Sequence, residues 1–176
     1  AERWTISVSA AHHDLVFSPA YLAAHTGTHV SLRALDNGDE KWTLSGMSNI
    51  AFTPDGSSII ATGATSADAN TLTIPVTLLN ADTHEETARF TVDTGYKASV
   101  SMIPSLVFSP DGKWLAVGAQ AKTDDGSEGV VYVWDMTKNT AAPVRKGHKS
   151  QVACLAFTRD SARLASGSND GSAMIW

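Results

Sequence analysis

The chain is poor in the features that most often announce a function. It has one cysteine, Cys154, so no internal disulfide can form. That scarcity fits a reducing, intracellular compartment, most simply the cytoplasm. No stretch approaches the roughly 20 apolar residues of a membrane-spanning helix. The opening residues, AERWTISVSA, are too polar for the apolar segment of a secretory signal, and no Asn-x-Ser/Thr acceptor occurs. The start at Ala1 and the stop at Trp176 suggest a piece trimmed from a longer chain. Basic surplus is also missing. Lys and Arg number 13 against 18 Asp and Glu, a net charge of −5, which disfavours general nucleic-acid binding. No window sustains a helical period.

What is present is repetition. Phe17-Ser18-Pro19, Phe52-Thr53-Pro54-Asp55-Gly56, Phe108-Ser109-Pro110-Asp111-Gly112 and Phe157-Thr158-Arg159-Asp160 are variants of one phrase. Each follows a short apolar run and precedes another. Such self-similarity marks a protein made by stacking one supersecondary unit.

The last unit is the clearest. Residues 152–157 are a dense apolar run, Thr158–Ser161 a turn, and 163–168 a second strand. Asn169-Asp170-Gly171 is a tight-turn signal, and 172–176 return as a third strand. The third unit gives strands over 105–108, 114–118 and 130–135, with a long, flexible acidic loop before the last and a short outer strand at 143–145. The second gives 49–52, 59–63, 71–79 and 89–92, with Pro75 at a bulge or edge. The first gives 14–17, 21–24, 30–35 and 41–44. The intervals bracket the roughly 40–45 residues of a four-stranded propeller blade. Glu2–Ser7 (ERWTIS) matches Glu40–Ser45 (EKWTLS), so residues 1–9 are expected as an outer strand lent to the closing blade. The repeat boundaries are then 1–45, 46–97, 98–146 and 147–176.

These residues resemble the WD40 family of β-propellers. Gly147-His148, Ser166-Gly167-Ser168-Asn169-Asp170 and Trp176 follow the family pattern in the last unit, and Trp134-Asp135 supplies the eponymous dipeptide in the third. The first unit has Ala34 where the Trp should fall and Thr28 where the turn Asp should fall. The resemblance implies an all-β propeller of four-stranded antiparallel blades. Four blades are few for a family with seven or eight, so a half ring, a fragment, or a ring completed by a second copy is expected. It also implies that His148, Ser166, Asp170 and Trp176 form a structural hydrogen-bond tetrad, since each polar group is costly to bury alone.

The Ser/His/Asp set has the composition of a hydrolytic triad, but nothing around Ser166 forms a nucleophile elbow, so no catalytic residue is expected. No metal or other cofactor is expected either. His25 and His29, flanking Thr26-Gly27-Thr28, come nearest to a metal pair but lack a spaced carboxylate or thiolate. Cys154 is expected buried in its strand. Arg145-Lys146-Gly147-His148-Lys149 is a basic cluster, and Lys122–Gly129 carries acids and glycines. Lys122, Asp124, Asp125, Lys149, Gln151 and Asn169 should share one rim. The expected function is therefore a non-catalytic scaffold that binds a protein or peptide over that rim and can self-associate to complete its ring. The alternatives are a sensor segment of a larger protein and, third, a small-ligand, metal-binding or enzymatic propeller.

Overall fold

The computed structural model describes residues 13–26, 29–63, 66–67, 72–93, 105–123 and 126–176. Among them every regular element is a strand, and the strands form four antiparallel sheets. The expected outer strand at residues 1–9 lies outside the described residues.

The first sheet is the meander β1 (His13–Phe17), β2 (Tyr21–Thr26), β3 (His29–Ala34) and β4 (Glu40–Ser45). Its alternation is plain in β3, where Val30, Leu32 and Ala34 are buried and Ser31 and Arg33 are only half-buried. The second sheet holds β5 (Met47–Phe52), β6 (Ser58–Gly63), β7 (Ser66–Ala67), β8 (Leu72–Asn80) and β9 (Glu86–Asp93). Pairing of β8 with β6 runs from Asn80 to Val76, and pairing with β7 takes up Thr73 and Leu72. Pro75, which has no N–H to donate, falls between those two ladders.

The third sheet comprises β10 (Ser105–Phe108), β11 (Trp114–Thr123), β12 (Gly126–Asp135), β13 (Thr140–Ala141) and β14 (Arg145–His148). The fourth comprises β15 (Val152–Phe157), β16 (Leu164–Ser168) and β17 (Ala173–Ile175). Contacts group the chain into two compact units, Ala1–Ala64 with Val76–Arg89, and Thr65–Pro75 with Phe90–Trp176. In the first, Ala23, Leu32, Trp42, Ile50, Ile59 and Leu79 belong to one buried cluster. In the second, the third and fourth sheets meet through Ala116, Val131, Val152 and Leu164, with Leu155, Phe157 and Trp176 packed against them.

Three expectations are corrected. The stretch from Gln120 to Gly129 is not a long flexible loop. β11 and β12 stay paired out to Thr123 and Gly126, and Ala119 and Ala121 extend the buried apolar run of Leu115–Val117. Only residues 124 and 125, outside the described set, lie between the strands. The strand expected at 143–145 lies instead at Arg145–His148, where Arg145 pairs with Val131 and His148 with Gly129 across a bulge. Gly129 permits this. A methyl group there would run into the Ser150 carbonyl and the Cβ of His148. Finally, Cys154 is exposed. Leu155 and Phe157 turn toward the third sheet, so Cys154 and Ala156 take the opposite face, and no described element covers it.

Candidate functional site

The repeated phrase is a hydrogen-bonded turn, and its key group is a hydroxyl rather than the proline. Thr53, Ser109 and Thr158 each donate their hydroxyl to the carboxylate two residues on, at 2.6 Å in all three turns. Each hydroxyl oxygen also accepts the backbone N–H five residues on, at 3.1, 2.9 and 3.0 Å. That hydroxyl first, and then the backbone N–H of Ser57, Lys113 or Ala162, holds Asp55, Asp111 and Asp160 below the usual carboxylate range. The fifth position needs positive φ. Gly56 and Gly112 supply it at 72°, while Ser161 adopts 60° in the last turn. There Ser161 Oγ accepts the N–H of Asp111 from the third sheet at 3.1 Å.

At the other end of the fourth sheet, side chains link four segments. Trp176 Nε1–H donates to Ser166 Oγ at 3.0 Å, and Ser166 Oγ lies 2.8 Å from His148 Nε2. His148 Nδ1 is 2.9 Å from Ser172 Oγ and 3.4 Å from Asp170 Oδ2. Ser172 donates its hydroxyl to Asp170 Oδ1 at 2.5 Å. Counting donors orders the chain. If Ser166 donates to Nε2, the neutral imidazole carries its proton on Nδ1 and donates to Ser172, whose own proton is committed to Asp170. Every group then has a partner. His148 and Ser166 are both buried, at 2% exposure each, so that satisfaction is what makes their burial tolerable.

The structure thus brings His148, Ser166, Asp170 and Trp176 together and adds Ser172, which sequence reasoning missed. The signal was available: Asn169-Asp170-Gly171-Ser172 places a hydroxyl two residues after an Asx turn. Asp170 also accepts the Lys149 N–H at 2.6 Å and the Ser172 N–H at 2.8 Å. The Ser172 hydroxyl and then the Lys149 N–H keep its carboxyl well below the usual range. Ser166 Oγ is buried between an indole and an imidazole, which leaves it no open side from which to attack a substrate.

The same anchor arranges the rim. Asn169 Nδ2 donates to Gln151 Oε1 at 3.2 Å, and the Asn169 N–H to the Gln151 carbonyl at 3.0 Å. Lys149, Gln151 and Asn169 therefore sit together. Lys122 pairs with Ser127 next to the end of β11, and Asp124 and Asp125 lie outside the described residues. The basic cluster divides: Lys146 pairs with Glu128 at 3.2 Å, and His148 is interior. His25 is buried with Nε2 3.1 Å from the Met47 carbonyl, while His29 is exposed. Among the described residues no group of three His, Cys, Asp or Glu is placed to hold a metal.

In the third sheet, Asp135 of the Trp-Asp pair is buried and caps the turn that follows. It accepts the Thr137 hydroxyl at 2.6 Å and the N–H groups of Thr137 and Lys138 at 3.0 and 3.1 Å. These bonds, the Thr137 hydroxyl first, lower its pKa to about 2. The Trp134 ring stacks on Phe90 at 5.1 Å. The model of the WD domain, G-beta repeat, matches residues 91–135 and 141–176. These two stretches thus resemble WD40 repeats. Similar proteins include the intraflagellar transport protein 122 homolog of Xenopus tropicalis, 40% identical over 74 residues, which are 42% of this chain and 6% of that protein. The guanine nucleotide-binding protein G(I)/G(S)/G(T) subunit beta-1 of Homarus americanus is 38% identical over 74 residues, 42% of this chain and 20% of that subunit. The THO complex subunit 6 homolog of Danio rerio is 29% identical over 91 residues, 51% and 26% respectively. The chain thus spans only about a quarter or less of the length of these relatives.

Proposed function

We propose that this chain is a non-catalytic WD40 platform that binds a protein or peptide partner through Lys149, Gln151, Asn169 and the β11–β12 tip at Lys122, Asp124 and Asp125, in an intracellular setting. The observation that carries the reading is the clamp at Asp170. One carboxylate fixes both the β14–β15 link and the β16–β17 turn, so the backbone that carries the rim side chains has little entropy left to lose on binding. His148, Ser166, Ser172 and Trp176 are the support, not the contact surface. Two of the relatives are named as subunits of assemblies, which favours the same reading. The test places a photoreactive residue at position 149 or, as control, at position 113 in the opposite turn. Cross-links to a discrete partner from 149 alone, abolished by Asn169→Ala with Gln151→Ala at unchanged melting temperature, support the platform. Equal cross-linking from both positions sinks it.

Self-association is a second reading, favoured by the uncovered face of the fourth sheet. Ile175 is 71% exposed there, beside Cys154, Ala156, Ala165 and Ala173 on paired positions of β15, β16 and β17. A solution mass that stays at 18.6 kDa across concentration would rule it out.

A further inference from the structure

The rim uses one end of the third and fourth sheets, and the opposite end is also shaped. A cavity of about 260 Å³ there is lined by Trp114, Val133, Phe157, Trp176 and buried Leu164. That is below the roughly 300–1,000 Å³ of small-molecule sites, so it suits one or two side chains of a segment laid across it. Arg145 of β14 and Arg163 of the β15–β16 turn are among its lining residues, and no Asp or Glu side chain is. Neither side chain has an ion-pair or hydrogen-bond partner among the described residues, whereas Arg33 and Arg89 are each held by a glutamate, at 2.7 and 2.6 Å. The acids nearest in sequence are engaged elsewhere. Asp160 serves its own turn, and Asp111 binds Ser109 and pairs with Lys113. Arg145 is half-buried in β14. The cavity wall is preformed, because Ser161 is tied to the Asp111 N–H of the neighbouring sheet.

We propose that this cleft is a second binding site, and that its ligand is an acidic peptide segment, a carboxylate side chain next to an apolar one. Guanidinium forks match carboxylates bidentately, and a charge-assisted pair at a partly desolvated site is stronger than one in water. The aromatic walls take the apolar neighbour. The net charge of −5 and the small volume argue against a nucleic-acid strand here.

The experiment is an NMR titration of the intact chain, following the Trp114 indole N–H, with three capped tripeptides: Leu-Glu-Leu, Leu-Gln-Leu and Leu-phosphoserine-Leu. The expected result is a saturable shift with the glutamate peptide that weakens by about tenfold in Arg145→Gln or Arg163→Gln and with rising salt. Spectral dispersion of each variant reports its folding. Equal binding of the glutamine peptide, no saturable shift at millimolar peptide, or folded variants that bind as before would overturn the proposal. Stronger binding of phosphoserine would overturn the choice of carboxylate. The cleft lies at the end of the sheets opposite the rim, so failure here leaves the rim platform standing, and the cross-linking test above can fail without touching the cleft.

Discussion

Both pairs of sheets, the first with the second and the third with the fourth, meet through apolar side chains, but the last sheet adds a linked series of polar ones. In the first pair the contact is apolar: Val30, Leu32, Ile59 and Ala61 are fully buried together, and Trp42 joins them with its indole N–H on the Ala81 carbonyl at 2.9 Å. In the last sheet the conspicuous interior groups are polar, an imidazole, a serine hydroxyl and an indole N–H linked in series. The difference is in what each arrangement specifies. Apolar contact rewards volume and tolerates many sequences, whereas a closed donor–acceptor chain accepts few residues at each place. The family model matches the region with the polar chain.

The comparison is broken most directly by cutting each side. Leu32→Ala removes a fully buried side chain from the apolar cluster and should cost roughly 2–5 kcal/mol, read as a fall in the denaturant midpoint at unchanged slope. Ser166→Ala leaves the Trp176 N–H and the His148 Nε2 without their shared partner and should cost less, about 1–3 kcal/mol. If the serine variant falls further than the leucine variant, the polar chain and not the apolar cluster dominates stability.

Acid separates the two regions next. Asp111, Asp135, Asp160 and Asp170, all in the second unit, have carboxyls lowered by hydrogen bonds they accept, and Asp55 is their counterpart in the first. A folded pKa below the unfolded value of about 3.9 means stability that is complete above that value and is lost as pH falls through the folded one. For Asp135 the loss should run from about pH 4 down to about 2. Hydrogen exchange at pH 3 should therefore loosen the strands of the third and fourth sheets before β3 and β6. Simultaneous loosening would show that the carboxylate turns do not carry the difference.

How much was legible follows the same division. Strand positions in the fourth sheet could be placed nearly to the residue, because Thr158–Ser161 and Asn169–Gly171 are turn chemistry with few alternatives. The gathering of His148, Ser166, Asp170 and Trp176 was expected from resemblance alone, and Ser172 was missed because a serine carries little information by itself. The span from Gln120 to Gly129 misled because its polar and glycine content resembles a loop. What decides it is the burial of Ala119 and Ala121 and the close passage of His148 over Gly129, and those are tertiary facts. The roles of Thr53, Ser109 and Thr158 were hidden behind the more conspicuous Pro-Asp-Gly.

Cys154 offers the smallest effect and the sharpest reading of the last sheet. An apolar run such as Val-Ala-Cys-Leu-Ala-Phe invites burial on both faces, as in a strand with a sheet on either side. Here only Val152, Leu155 and Phe157 have a neighbouring sheet, and Cys154 pairs with Gly167 on the open face. Cys154→Ser should change stability by no more than about 0.5 kcal/mol, as for other exposed positions. The native thiol should react with a disulfide reagent at the rate of a free thiol, with no need for prior unfolding. Protection that rises with protein concentration would place a second copy over this face. Protection independent of concentration would mean that the chain itself covers it, and the one-sided reading of the last sheet would fall.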